Sequence, residues 1–106
     1  MWSEALPIVV YSTCSEVVVK AADWPSLYGS LQALKGHTQE YPGCQRFDVF
    51  LRAGTGQDVL LHVYTSWDTL EQLEGFLERG YTFERLIGDF EGDVELERSF
   101  VMEKIF

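Results

Sequence analysis

Apolar residues recur along this chain with two different periods. From Cys44 to Arg52 they alternate, with Phe47, Val49 and Leu51 on one face of an extended segment and Arg46, Asp48, Phe50 and Arg52 on the other. The run Val59 to Ser66 repeats the pattern. Val59, Leu61, Val63 and Thr65 share one side; Leu60, His62, Tyr64 and Ser66 share the other. Ala53-Gly54-Thr55-Gly56 between the two runs predicts a hairpin loop, and this hairpin is expected to build the sheet centre. Both faces are partly apolar, so both are expected to be covered. Residues 94–106 alternate as a last strand, with Leu96, Arg98, Phe100, Met102 and Phe106 at even positions. Residues 7–22 hold two β-branched clusters, Ile8-Val9-Val10 and Val17-Val18-Val19, around a polar break at Ser12-Thr13-Cys14-Ser15. That break reads either as a bulge in one strand or as a link between two.

The period changes in between. Leu27, Leu31 and Leu34 recur at helical spacing, with Trp24 and Tyr28 beside them, and Asp23 and Pro25 suit the first turn. Pro42 ends that helix, because it has no N–H to give and forces Tyr41 out of helical geometry. Gly43 then supplies a turn conformation that side chains resist. Leu70, Leu73, Phe76 and Leu77 form the stripe of a second helix, capped by Ser66 or Asp68 and closed by Arg79-Gly80. A short third helix is expected from Thr82 to Gly88, burying Phe83, Leu86 and Ile87. The order is β-α-β-β-α-(α)-β. It predicts an α+β, ferredoxin-like split β-α-β fold: a four-stranded antiparallel sheet with helices on one face. Residues 1–106 form one domain, with 1–14 as an N-terminal extension or extra strand.

The net charge of −9 disfavours nucleic acid and anionic membrane surfaces as partners. No apolar run is long enough to span a bilayer. No basic residue precedes the first apolar run, so the N-terminus does not read as a signal peptide and the expected location is cytoplasmic. Cys14 and Cys44 are expected to be free thiols. Two cysteines and two histidines, His37 and His62, at unrelated spacings do not predict a metal site, and two cysteines cannot ligate the cluster of an electron-transfer ferredoxin.

The stretch "YPGCQRFDVF", a hairpin, and then "VLLHVYTSWDTLEQL" resembles the antibiotic biosynthesis monooxygenase domain. The likeness covers about residues 15–106. It implies a dimeric α+β barrel, in which two copies join through their sheet faces to form a homodimer. It implies further a cofactor-independent oxidoreductase that oxidises a small phenol- or quinol-type compound with O₂ in a cavity under the helices. The alternative is a non-catalytic, small-molecule-binding or stress-related homodimer of the same fold. The family's Glu-x-Trp falls on His62 and Tyr64, and its second-helix His on Leu73. The chain has no Asn and no His after His62, which argues against heme degradation.

His62 and Tyr64 lie two apart on a strand and point to one face. If that face meets the helices, His62 is the expected base for a phenol proton and Tyr64 the group that orients the substrate oxygen. The equally plain reading of His62 is a packed core histidine. Trp24, Tyr28, Phe50, Arg52, Phe76, Tyr81 and Phe83 are the expected substrate-binding residues. Val49, Leu51, Leu61 and Val63 are then expected on the opposite face, against a partner sheet.

Overall fold

The computed structural model describes residues 10–52 and 56–105. Its elements are β1 (Val10–Lys20), α1 (Trp24–Gln39), β2 (Cys44–Arg52), β3 (Asp58–Trp67), α2 (Leu70–Arg79), α3 (Phe83–Asp89) and β4 (Val94–Lys104). The four strands make one antiparallel sheet in the order β2-β3-β1-β4, which is the expected ferredoxin-like α+β arrangement. Only one arm of the hairpin lies at the centre. β3 and β1 are the central strands, and β2 is an edge. The tip of the hairpin, residues 53–55, and the expected strand start at Ile8-Val9 fall outside the described residues.

The polar break in the first strand proves to be no break. Ser12 to Ser15 pair without interruption to both neighbours, and the one irregularity against β4 comes later, between Glu16 and Val17. Residues 10–14 therefore belong to the central strand β1. Helix α2 also begins elsewhere than expected. The β3 ladder runs on through Trp67, so Ser66 is still extended and cannot cap. Thr69 takes the position instead, and its hydroxyl accepts the Gln72 amide at 3.1 Å. Asp23 does stand at the N-cap of α1 but makes no side-chain cap. Its Oδ2 accepts the Asp93 amide at 2.8 Å and ties the loop before β4 to the helix start.

The core shows which face the helices cover. Leu27, Leu31 and Leu34 of α1 pack with Val17, Val19, Leu61, Val63 and Phe47 from three strands and with Phe83 and Leu86 of α3. Each such leucine contributes about 1.5–3 kcal/mol on leaving water. A second cluster joins Trp67, Leu73 and Phe76, with Tyr41 and Cys44 of the Pro-Gly-Cys turn against it. Gly43 sits there at φ +87°, and a Cβ on it would strike the Gln72 side chain. Leu61 and Val63 thus face the helices, not a partner. His62 and Tyr64, one residue out of phase, face away from them. Both rows of β3 carry apolar residues, so alternation separated the two rows without saying which was inside.

Candidate functional site

The inner face of the sheet has two halves. Along β1 the inward row reads Tyr11, Thr13, Ser15, Val17, Val19; along β3 it reads Trp67, Thr65, Val63, Leu61, Val59, each opposite its partner. One half is aliphatic and is filled by the leucines of α1. The other half carries hydroxyls, and there the helices leave a cavity of about 180 Å³. Its hydroxyls come from Thr13, Ser15, Thr65 and Ser99 on the sheet, Thr38 on α1 and Thr82 before α3. Its apolar walls include Phe47, Val63, Phe76 and Phe83.

Five of the six hydroxyls have partners. Thr13 bonds Thr65, and Thr65 also accepts the Trp67 indole N–H at 2.8 Å. Ser15 and Ser99 pair at 3.1 Å. The Thr82 hydroxyl accepts the Arg85 amide at 3.3 Å while capping α3. Thr38 is 0% exposed, and its Oγ1 has no partner; among the described residues it is the only such buried side-chain atom. Among the described residues Glu84, exposed on α3, is the only acid or base lining the cavity. The interior therefore suits a neutral guest with hydrogen-bonding oxygen and has no buried charge to offer.

The residues expected to form one site are spread over four places. Phe76 and Phe83 line the hydroxyl cavity. Trp24, Tyr28 and Phe50 line an open groove between α1 and the edge strand β2. Tyr81 borders a hollow between α1 and α3, where its hydroxyl donates to Asp89 at 2.7 Å and the phenol is held above its ordinary pKa by that bond. Arg52 lies on the outer face, bordering a hollow with Glu16, His62 and Arg98.

That outer face collects His62 and Tyr64. Their rings are stacked with centroids 6.2 Å apart, and Phe50 meets Tyr64 edge-on at 5.6 Å. His62 Nδ1 is 3.8 Å from Glu16, while Arg98 Nε donates to Glu16 at 2.6 Å. The Arg98 hydrogen bond pulls the Glu16 carboxyl below its ordinary range. The neighbouring Cys14 thiol, with burial and the Glu16 charge adding to it, pushes the Tyr64 phenol up. Tyr64 is thus a hydrogen-bond donor at neutral pH. The other arginines serve local structure: Arg46 pairs with Asp48 at 2.9 Å, and Arg85 closes α2 by donating to the carbonyls of Gly80 and Glu78. Burial pushes the Cys44 thiol up, and both cysteines are free. Among the described residues no three His, Cys, Asp or Glu side chains cluster to hold a metal ion, and no helix is long and apolar enough to cross a membrane.

The hydroxyl ring escaped the sequence reading, though a signal for it existed. Thr13, Ser15 and Thr65 interrupt rows that are otherwise apolar, on the face shared with Val17, Leu61 and Val63. Thr38 follows Leu27, Leu31 and Leu34 at the same helical spacing.

No protein-family model and no curated protein matches this sequence. Solved structures do share its fold. A candidate antibiotic biosynthesis monooxygenase from Nitrosomonas europaea superposes with a TM-score of 0.66 at 16% identity, covering 92% of this chain and 91% of that one. A second protein so named, from Bacillus cereus, gives 0.65 at 13% identity over 92% and 94% of the two chains. MupZ from Pseudomonas fluorescens gives 0.66 at 13% identity over 87% and 69%. The chain thus has the fold of the antibiotic biosynthesis monooxygenase-like structures.

Proposed function

We propose that this protein binds a small neutral aromatic compound of the phenol or quinol type in the hydroxyl-ringed cavity and that it does so as a homodimer joined through the outer sheet face. The observation that carries the reading is the cavity with the buried, unpartnered Thr38 hydroxyl. An unpaired buried hydroxyl costs about 1–3 kcal/mol, and a guest oxygen relieves it. Volume limits the guest: an apolar cavity of about 150 Å³ admits one benzene ring, whereas sites for drug-sized ligands run from about 300 Å³. At about 180 Å³ the space suits one ring and excludes fused tricycles. The dimer is supported by the outer face, where Phe50 is 53% exposed and Phe100 is also exposed beside the Glu16–Arg98 pair.

A second reading is cofactor-independent oxidation of the bound ring by O₂. It is favoured by the monooxygenase names of proteins with this fold and by Glu84 at the cavity wall. A phenol with a free para position and O₂ yields a quinone and water, the ring supplying all the electrons. The proton acceptor for such a step would be Glu84, because His62 lies behind the sheet. Titrating wild-type protein with phenol while following O₂ uptake separates the readings. Saturable binding with protein-dependent uptake, lost in Glu84→Gln, supports oxidation. Binding without uptake leaves the binding protein. No binding at millimolar phenol contradicts both.

A further inference from the structure

We propose that Thr38 is the specificity-determining residue of the cavity, selecting single-ring compounds that carry a hydroxyl over rings of the same shape that lack one. This rests on the reading of the cavity as a ligand site. The other five hydroxyls of the ring are already committed to one another, to the Trp67 indole or to a helix cap. They present shape and a polar lining, and each already holds at least one bond, so a guest adds to a group that is satisfied without it. Thr38 holds none. It lies at the C-terminal end of α1, fully buried, on the same stripe as three core leucines and on the cavity wall. A site whose buried polar atom is satisfied only by the guest discriminates against the guest lacking that group, because the atom then stays unpaired. The phenol hydroxyl fits this demand, since it donates to Oγ1 and can accept from it. An anionic carboxylate does not fit, because no cation among the described residues lines the cavity.

The test compares phenol with toluene, two rings of nearly equal shape, against wild-type, Thr38→Val and Thr38→Ser proteins, with Kd read by NMR titration. In Thr38→Val the phenol Kd should rise about tenfold, a loss of about 1.4 kcal/mol, while the toluene Kd stays level or falls. Thr38→Ser keeps the hydroxyl and should retain phenol binding. A merely structural role would shift both ligands together. Should Thr38→Val not fold, Thr38→Ala carries the same comparison, and its phenol loss must exceed its toluene loss. Equal losses for the two ligands, or an unchanged phenol Kd in the valine variant, would overturn the inference while leaving the cavity a ligand site. If wild-type protein binds neither ring, the cavity reading fails and this inference with it.

Discussion

Thr38 occupies the position of a core residue with the chemistry of a site residue. Its side chain follows the leucine stripe of α1, so an apolar residue of the same shape should suit the empty protein better. Thr38→Val is expected to stabilise the unliganded fold by about 1 kcal/mol, measured by urea denaturation; a loss of similar size would mean that the hydroxyl has a partner in solution. The outer face offers a different test. Arg98 donates to Glu16 and holds its carboxyl below the ordinary 4.5. A depressed folded value means that Glu16 stabilises the fold above about pH 4.5 and loses that contribution as pH falls through the lowered value. His62, Arg52 and Tyr64 face the same carboxylate, but Arg98 acts first. Melting temperatures measured on the acid side should therefore fall less steeply in Glu16→Gln than in wild type. Parallel curves for the two proteins would exclude this role for the ion pair.

At the scale of elements, what the sequence shows well is where the chain changes direction. Pro42 and Gly43 end α1 for reasons written into their covalent structure, and the structure adds only that Gly43 lies against Gln72. Gly43→Ala is expected to cost about 1–2 kcal/mol for its left-handed backbone alone, with more from the collision. Part of that loss should return in Gly43→Ala/Gln72→Ala if the collision matters, as chemical denaturation of the two variants would show. The face of each strand was less legible. In β3 Leu61 and His62 stand in rows that are both partly apolar, so the choice between them falls to the partners across the ladder. Val17 and Val19 lie opposite Leu61 and Val59, and these match the α1 leucines. Such matching is long-range, and no local window contains it. The same fact explains why His62 and Tyr64, read as a cavity pair, lie on the outer face, and why the hydroxyls of Thr13, Ser15, Thr65 and Ser99 converge from three strands without any motif.

At the scale of the whole molecule, the sheet divides two tasks between its faces. The inner face is part core and part cavity. The outer face bears Tyr64, Phe50 and Phe100 around the Glu16–Arg98 ion pair and His62. Sedimentation velocity should give twice the chain mass for wild type, and a single chain for Phe100→Glu with its fold intact by circular dichroism. A monomeric wild type would contradict the dimer and leave the cavity untouched as a claim. The most direct test of the central claim locates the guest. Backbone amide shifts of isotope-labelled protein, titrated anaerobically with hydroquinone, should move in saturable fashion around Thr38, Thr65, Thr82 and Ser99. Shifts confined to His62, Tyr64 and Arg98 on the outer face, or none at millimolar ligand, would contradict the account.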